Sequence, residues 1–508
     1  MNFLLALTAV ALGGFISLSY EILWYRAISV ASGATASAFG LLLGFYLLGL
    51  AAGAWLAGGR CEDPNARGDH RLVLRTAWFF LLANAMGFLV LPGLAWFARY
   101  GVWPFGLVLV MIAAAMFGAV LPMISHFAVE PSRLAGRGVS YLYVANIIGS
   151  VAGSFLTGFV LLDVLPLRGV ALVLAVLGYL VALALLGLSR PSRRTLVMGA
   201  FGACLLALAS VVSTPALFDR FYESLLFGYG AAEHPPFEQV VENRSGVITV
   251  TPDGTVYGNG AYDGRLTTDL VGDRNLVIRA YAIAAFHPAP RRALMIGMGG
   301  GAWAQIVANN PLVEELTIVE INPGYLDVVR SSPAVASLLS NPKVKVVIDD
   351  GRRWLNRNPD RRFDLIVANT TQHWRAHATH LLSVEFLELV KRHLTPGGVY
   401  YFNTTYSHAA LNTAMREFPS GVLVVNFAAV GDSVPFDRNR LRRVLTQYTI
   451  DGHPVLPADR PEDRKRLEEV VNMEIFNRDV VLRRSGSAGV VTDDNMLTEW
   501  HPSVESWQ

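Results

Sequence analysis

The chain reads RALMIGMGGGA at residues 292–302, an apolar run that ends in clustered glycines. A short apolar run of this kind, followed by a helical stretch, is typical of a strand–loop–helix unit. Gly297, Gly299 and Gly301 let the backbone approach a ligand closely, and a helix N-terminus favours anionic or polar groups. Because the spacing is G-x-G-x-G and not the G-x-G-x-x-G of dinucleotide-binding loops, the loop alone does not identify the ligand.

Three further apolar segments follow, and each of them ends in polar residues. The first ends in Glu320, the second in Asp349-Asp350-Gly351 and the third in Asn369. Strands that alternate with helical stretches predict a parallel, doubly wound sheet. Ligands bind beyond the carboxyl ends of such strands, so we expect Gly297–Gly301, Glu320, Asp350 and Asn369 to converge. Glu320, at the end of the second strand, is then placed to bind the ribose hydroxyls of a nucleoside.

A different periodicity precedes this region. From Phe237 to about Thr268 the apolar residues recur with period two, and Pro252-Asp253-Gly254 is typical of a hairpin turn. We therefore predict a small β-hairpin module. An amphipathic helix is predicted around Asn275–Phe286, and a fifth strand at Val399–Asn403.

The N-terminal part has the composition of a membrane domain. Hydrophobic residues make up 53% of the chain and charged residues 16%, and most of the charge lies after Leu217. A bilayer core needs about 20 apolar residues per helix. On that measure the sequence predicts about seven spans, roughly at residues 2–20, 34–58, 74–98, 104–128, 139–162, 169–189 and 195–213. Gly149, Gly153 and Gly158 have a spacing that lets membrane helices pack closely.

Few ionisable residues interrupt these spans. Glu21, Arg26 and Asp163 lie near the predicted span ends, where long side chains reach the interface, and Glu21 and Arg26 are also candidates to pair with each other. A role in transport is the alternative. Arginines cluster after the even-numbered spans, which favours a cytoplasmic location for those loops and an external one for the C-terminal part. A nucleoside substrate from the cytosol favours the opposite orientation. The sequence therefore leaves open on which side of the cell (inner) membrane the C-terminal part lies.

These patterns divide the chain into residues 1–214, a transmembrane domain, residues 215–270, a linker with the hairpin module, and residues 271–508, a Rossmann-like domain. The formal net charge of +2 gives no indication of nucleic-acid binding. The two cysteines, Cys61 and Cys204, predict neither a disulfide nor a metal framework. A homo-oligomer is left open.

The order of motifs resembles the spermidine synthase (polyamine aminopropyltransferase) superfamily. The resemblance is carried in chain order by Tyr262-Asp263-Gly264, His287–Gly297, Val319–Pro323, Asp350-Gly351, Leu382–Leu387 and Thr492–Asn495. Tyr20–Arg26 resembles bacterial membrane-fused members. The resemblance implies a class I methyltransferase-like Rossmann domain after a β-hairpin module. It also implies that Glu320 binds the ribose, Asp350 with Gly351 the adenine, and the glycine loop the aminoacyl or aminopropyl arm.

Two departures from the family pattern affect the chemistry. The loop Gly297–Gly301 lacks the family's acid, and the family's D-S-S-D appears as Asn369-Thr370-Thr371-Gln372. Asn and Gln cannot remove a proton, and they give a cationic amine no electrostatic partner. The catalytic candidates are Asn369 and Gln372, which replace the family's acids, together with His373 and Asp263, and His373 is the acid–base group. Metal binding by His373, His377 and His380 is an alternative only if the loop is helical; no metal is expected.

The resulting hypothesis is a membrane-bound, spermidine synthase-like enzyme. It would use S-adenosylmethionine or decarboxylated S-adenosylmethionine as its substrate and release methylthioadenosine, either by arm transfer or by intramolecular cleavage, as a transferase or a lyase. Tethering makes the intramolecular route credible without a strong base. The alternatives are a methyltransferase and a catalytically silent nucleoside sensor coupled to a membrane transporter. The expected partners are a small nucleoside substrate and the lipid bilayer, with no nucleic acid.

Overall fold

The computed structural model of the chain describes residues 3–61, 70–130, 133–189, 191–369, 372–457 and 459–500. It divides into two compact units. The first is drawn from Met1–Gly33, Ser37–Pro236 and Glu242–Gly246, and the second from Ala34–Ala36, Phe237–Val241 and Val247–Gln508.

Long apolar helices make up the first unit. Its elements are α1 (Phe3–Ala31), α2 (Ser37–Arg60), α3 (His70–Arg99), α4 (Gly106–Ala128), α5 (Ala135–Leu156), α6 (Leu162–Val164), α7 (Leu167–Leu188), α8 (Arg193–Leu217) and α9 (Phe221–Phe227). Within the described residues, seven of these segments are long and apolar enough to cross a membrane. The seven predicted spans are thus confirmed as helices, and the first is 11 residues longer at its C-terminal end than predicted, because α1 continues from Tyr20 to Ala31.

Small residues bring α1 and α5 into close contact. A β-carbon built on Gly149 would overlap the carbonyl group of Ala11, and one built on Gly153 would overlap that of Phe15. Gly158 has ordinary clearance from its nearest neighbour, Ile22. The predicted packing role is therefore realised at two of the three glycines.

The extension of α1 changes the environment of its two charged residues. Glu21 and Arg26 lie inside the helix and are buried, whereas the sequence predicted them to lie near the end of a span. Arg26 donates to the backbone carbonyls of Arg244, at 3.0 Å, and Gly246, at 3.4 Å, instead of pairing with Glu21. Asp163 accepts the backbone N–H of Arg244 at 2.8 Å. These side chains satisfy the backbone of a turn, which sequence spacing alone does not indicate.

The predicted hairpin module belongs to the second unit except for Glu242–Gly246. Its strands are β1 (Gln239–Asn243), β2 (Gly246–Val250), β3 (Thr255–Gly258) and β4 (Ala261–Arg265), and they form a sheet in that order. β2 pairs antiparallel with β3 across the predicted turn, where Gly254 has a φ of +78°. A turn residue with positive φ favours glycine because other residues meet a steric penalty there.

A larger sheet follows, with the order β14-β10-β11-β9-β8-β5-β6-β7. Its strands are β5 (Arg292–Ile296), β6 (Glu315–Glu320), β7 (Val344–Ile348), β8 (Phe363–Ala368), β9 (Leu394–Asn403), β10 (Ser420–Val424), β11 (Phe427–Gly431) and β14 (Phe476–Asn477); β12 (Thr449–Ile450) and β13 (His453–Pro454) form a separate pair. β5 to β9 are parallel, as predicted. The antiparallel edge formed by β11, β10 and β14 was not predicted.

Both faces of this sheet are covered. Along β5, Ala293 and Met295 contribute to one hydrophobic core, while Leu294 and Ile296 contribute to the other. The helices are α10 (Ile278–Tyr281), α11 (Ala302–Asn309), α12 (Gly324–Ser331), α13 (Gly351–Arg357), α14 (Val384–His393), α15 (His408–Glu417), α16 (Arg438–Thr446), α17 (Pro461–Val471), α18 (Arg478–Ser485) and α19 (Leu497–Trp500). The helix predicted around Asn275–Phe286 is shorter than expected: α10 is a single turn that continues as a 3-10 helix over Ala282–Ala285. The predicted architecture, a multi-pass helical domain followed by a Rossmann-like domain with a hairpin module, is confirmed.

Candidate functional site

The glycine loop connects β5 to α11. Gly297, Gly299 and Gly301 have φ values of +83°, +52° and +85°, a conformation that residues with a β-carbon rarely adopt. Gly301 is the N-cap of α11. The loop at the carboxyl edge of the sheet therefore has a backbone conformation that favours glycine at these three positions.

Glu320 lies at the end of β6, beside this loop. One of its carboxylate oxygens accepts the backbone N–H groups of Met298, at 2.6 Å, and Gly299, at 3.3 Å. The other accepts the N–H of Asn322 at 2.8 Å. Burial raises the pKa of Glu320, and the three N–H groups act in the opposite direction because they stabilise the ionised form. A carboxylate can accept about four hydrogen bonds, so about one position remains for a ligand hydroxyl.

Asp350 and Gly351 lie at the next strand end, after β7. Asp350 is half-buried and is the N-cap of α13, where its side chain accepts the N–H of Arg353 at 2.7 Å. A β-carbon on Gly351 would lie 2.5 Å from a methyl carbon of Ile296, so glycine allows α13 to pack against β5. Ile321 and Ile348 expose 61% and 44% of their surface at this edge. An apolar surface beside two acids is the kind of lining that suits a nucleoside base.

A cavity of about 380 Å³ lies at the same sheet edge, towards β8 and β9. Its lining consists mainly of amides and aromatic rings, with three charged side chains: Tyr262, Asp263, Gly264, Arg274, Asn275, Leu276, Arg279, Trp303, Asn369, Gln372, Trp374, Asn403, Thr405, Tyr406 and Asn426. The cavity adjoins the glycine loop, because a β-carbon on Gly299 would lie 3.6 Å from the carbonyl oxygen of Asp263. A ligand bound at the loop can therefore extend into the cavity.

Asp263 is the only acidic side chain among the described residues that line the cavity. Its carboxylate is almost fully buried and forms an ion pair with Arg375, whose Nη1 lies 3.3 Å from Oδ1. The hydroxyl of Tyr325 donates to the other carboxylate oxygen. Burial raises the pKa of Asp263, whereas the guanidinium of Arg375 and the hydroxyl of Tyr325 lower it. Asp263 is thus already supplied with a cation and a hydrogen-bond donor from the chain itself.

Two other predicted catalytic residues also face the cavity. Asn369 follows β8, and its side-chain oxygen lies 3.3 Å from the amide nitrogen of Asn403. Gln372 contributes to the lining and accepts the N–H of Arg375 through its backbone carbonyl. Thr370 and Thr371, which complete the four-residue motif, lie outside the described residues. Asn369, Gln372 and Asp263 are therefore brought together at one cavity.

His373 has a different position. It is buried, its Nδ1 lies 2.9 Å from the hydroxyl of Thr405, and it is not part of the cavity lining. Burial lowers the pKa of His373 to about 4, so the ring is neutral at physiological pH. His377 has a left-handed φ of +69° and precedes a 3-10 turn, so the three histidines do not share a helix. In the described part of the chain, no group of three or more His, Cys, Asp or Glu residues is placed to hold a metal ion.

The C-terminal segment Thr492–Asn495 contacts the start of α13, next to Asp350 and Gly351. Asp493 forms an ion pair with Arg352, the residue after Gly351, at 2.6 Å. It also accepts the hydroxyl of Ser383, the N-cap of α14, at 2.6 Å. This segment therefore positions α13 and α14.

Sequence reasoning missed the arginines. Arg279 lies within the predicted amphipathic helix, and Arg375 within a loop that was noted only for its histidines. Their partners lie far away in the sequence: Arg375 contacts Asp263 across 112 residues, and Arg279 contacts Asn426 across 147. No local pattern could have indicated these pairs.

The comparisons with known proteins agree with this geometry. Residues 281–418 match the family model described as the spermine/spermidine synthase domain. Polyamine aminopropyltransferase 2 of Streptomyces coelicolor is 27% identical over 343 residues, which cover 63% of this chain but only 59% of that relative. The polyamine aminopropyltransferase of Mycobacterium tuberculosis is 25% identical over 423 residues, which cover 77% of this chain and 76% of the relative.

Among solved structures, the spermidine synthase from Thermotoga maritima matches with a TM-score of 0.34 and 16% identity, over 47% of this chain and 83% of that chain. The family model covers the core of the second unit, from α10 through β5–β9 to α15. The second unit therefore contains a spermine/spermidine synthase domain, joined in this chain to an N-terminal region of seven long apolar helices.

Proposed function

We propose that the second unit binds S-adenosylmethionine or its decarboxylated form and releases methylthioadenosine from it. The observation that carries this proposal is the Glu320 carboxylate, which three backbone N–H groups hold at the end of β6 beside a cavity that adjoins the glycine loop. Glu320 would bind the ribose, and the surface around Asp350 would bind the base. The sulfonium arm would then extend past Gly299 into the cavity.

The relatives support a transferase that acts on this arm. Their names describe aminopropyl transfer to polyamines, and we propose that this chain likewise breaks the bond between the sulfonium and its arm, with the acceptor left open. In such a transfer the nucleophile bonds to the arm carbon that is attached to the sulfonium sulfur, and the bond between this carbon and the sulfur breaks. The electron pair stays on sulfur, so methylthioadenosine leaves neutral, and an amine nucleophile becomes an ammonium group that releases its proton to water.

The composition of the cavity favours a second candidate, intramolecular cleavage. Within the described lining, Asp263 is paired with Arg375, so that no unpaired carboxylate is available to hold an amine or to accept its proton. A carboxylate oxygen of S-adenosylmethionine itself could instead attack the carbon next to the sulfonium. One C–O bond then forms as the C–S bond breaks, the negative and positive charges cancel, and no base is needed. The nucleophile is tethered, so orientation by the cavity is the main requirement.

The test is product analysis with the full-length, detergent-solubilised protein. One incubation contains S-adenosylmethionine without an amine, and another contains the decarboxylated form with a diamine. Methylthioadenosine in the first incubation indicates cleavage, and in the second alone it indicates arm transfer. Adenosylhomocysteine would indicate methyl transfer, and binding without any product would indicate a sensor; either result would contradict the proposal.

A matched pair of variants links turnover to the site. Glu320→Gln keeps the side-chain volume but removes the charge, and we expect it to lower nucleoside affinity at least 10-fold, as for the loss of a charge-assisted hydrogen bond. Glu315→Gln changes an exposed carboxylate at the opposite end of the same strand, and it should leave affinity unchanged. Thermal unfolding of both variants separates a binding defect from a folding defect. Equal affinity in the two variants would remove Glu320 from the site.

A further inference from the structure

Arg279 is a buried cation in the wall of the cavity. Its side chain is 9% exposed, and its guanidinium stacks on the rings of Phe427 and Trp303 at 4.9 and 5.6 Å. It donates to the side-chain oxygen of Asn426 at 2.6 Å and to two backbone carbonyls, those of Asn275 and Leu276. All these acceptors are uncharged. Each terminal nitrogen has two N–H groups and uses one of them, so further donors remain.

No carboxylate of the described chain forms an ion pair with Arg279. The nearby Asp273 is the acid closest in sequence, but both of its oxygens are engaged. One oxygen accepts the backbone N–H groups of Asn275 and Val277. The other accepts the backbone N–H of Ile278 and an N–H of the Arg466 guanidinium, whose nitrogen lies at 3.0 Å. A buried charge without a counter-charge is costly, and burial lowers the pKa of Arg279 for this reason. A bound anion would remove that cost.

Arg274 adds a second cation to the same wall. Its side chain is exposed, lines the cavity, and makes no ion pair or side-chain hydrogen bond within the described residues. The negative charge of Asp263, in contrast, is neutralised by Arg375. Among its described lining residues, the cavity therefore presents two guanidinium groups and no available carboxylate. This arrangement repels a polyamine and suits a carboxylate, which accepts hydrogen bonds from guanidinium groups in a fixed geometry.

We propose that Arg279 and Arg274 bind the carboxylate of the S-adenosylmethionine arm, so that the protein selects intact S-adenosylmethionine over the decarboxylated form. This inference rests on the proposed function, because it takes the nucleoside to lie at Glu320. The two substrates differ by that carboxylate alone. The cavity begins at the glycine loop, so it is the part of the site that the end of the arm reaches.

The experiment measures binding of three ligands to the full-length protein by calorimetry: S-adenosylmethionine, its decarboxylated form and methylthioadenosine, which has no amino-acid arm. We expect all three to bind, with S-adenosylmethionine at least 10-fold tighter than the decarboxylated form. If methylthioadenosine binds but the two sulfonium compounds bind equally, the carboxylate site is wrong and the nucleoside site stands. If none of the three binds, the proposed function fails as well.

Variants assign the discrimination to the two arginines. Arg274→Gln changes an exposed residue, so folding is preserved, and it should reduce the preference for S-adenosylmethionine about 5-fold or more while leaving methylthioadenosine affinity unchanged. Arg279→Gln should abolish the preference. If Arg279→Gln does not fold, Arg274→Gln decides the outcome alone. The control is Arg330→Gln, an exposed arginine paired with Asp327 on α12, which should change nothing. A preference that survives Arg274→Gln in full would overturn the proposal.

Discussion

His373 is a histidine with almost no exposed surface, in the loop that follows β8. Its backbone N–H and its Nδ1 both lie 2.9 Å from the hydroxyl of Thr405, and its ring packs edge-on against Trp374. Trp374 lines the cavity, whereas His373 does not. We therefore interpret His373 as the residue that holds the cavity loop in place, and its role as an acid–base group remains a prediction without support from the geometry.

This interpretation predicts a pH dependence of stability. The pKa of His373 is about 4 in the folded protein, against about 6.5 for an unperturbed histidine, so the unfolded chain binds the proton first as the pH falls. The stability contribution is complete above about pH 7 and decreases as the pH falls through 6.5 towards 4, with a loss of roughly 2 kcal/mol by pH 5. Thermal unfolding at pH 7.5 and pH 5 measures this loss.

The comparison is with His373→Asn, whose amide can replace the hydrogen bond to Thr405 without titrating. We expect this variant to lose about 2 kcal/mol less than the wild type between the two pH values. His453→Asn, at an exposed histidine, should retain the full loss. If His373→Asn and the wild type show the same pH dependence, the ring is not held neutral by burial.

For individual residues, the sequence predicted the positions of those that directly follow a strand. Glu320, Asp350 and Asn369 each follow an apolar run, and the structure places them at the ends of β6, β7 and β8. Arg279 and Arg375 have no such marker, because their positions depend on which distant segments fold against them. The charge balance of the cavity, on which the proposed substrate selection rests, is therefore a property that the sequence pattern could not provide.

The packing of α1 against α5 shows how single glycines control the contact between two helices. Gly149 and Gly153 face the backbone of α1 so closely that no β-carbon fits, while Gly136, near the start of the same helix, has no neighbour within 4 Å. Without a hydrophobic drive between membrane helices, close backbone packing supplies much of the association.

We therefore predict opposite effects for one substitution at two positions of α5. Gly149→Ala should destabilise the protein by about 1–3 kcal/mol, since the helices must move apart. Gly136→Ala should be neutral or slightly stabilising, because alanine has the higher helix propensity. Thermal unfolding in detergent measures both. Equal effects at the two positions would mean that the helices do not approach each other at Gly149.

The length and residue pattern of each strand or helix decide whether the sequence could predict it. The parallel strands β5–β9 each form a distinct apolar run followed by a helical stretch, and all five were predicted. β10 and β11 form a tight hairpin around Val425 and Asn426, and β14 has only two residues, so neither has a pattern long enough to be recognised. α10 is shorter than predicted because Leu276, just before it, has a left-handed φ of +50°, which excludes a helix through that position.

At the scale of the whole molecule, the connection between α1 and α2 lies mostly in the second unit. Ala34–Ala36 belongs to the second unit, where the carbonyl of Ala34 accepts the N–H of Ala376 at 2.9 Å and Thr35 pairs with Arg375. The loop that neutralises Asp263 is thus joined to the chain immediately after the first long helix. If all seven long apolar helices cross the membrane, the segment after α1 and the chain after α8 each follow an odd number of crossings.

Seven spans also make a prediction about Cys61, which follows α2. After two crossings Cys61 lies on the face opposite to the C-terminal domain. The experiment uses sealed vesicles of one orientation. We expect a membrane-impermeant maleimide to label Cys61 from outside only in the orientation in which an external protease leaves the C-terminal domain intact. The experiment uses a Cys204→Ser background, because Cys204 lies within α8. Burial raises the pKa of the Cys61 thiol, so labelling is done at about pH 8 to provide enough thiolate.

The two orientations of the vesicle give the control, since inverting the membrane should exchange both results. Labelling of Cys61 and cleavage of the C-terminal domain from the same side would require an even number of crossings between them and would contradict the five spans that follow α2. The experiment also decides the membrane face. Arginines are concentrated in the loops on the Cys61 side, which favours the cytoplasm for that face. If Cys61 is instead external, the C-terminal domain faces the cytoplasm, as the proposed nucleoside substrate requires because it is made inside the cell.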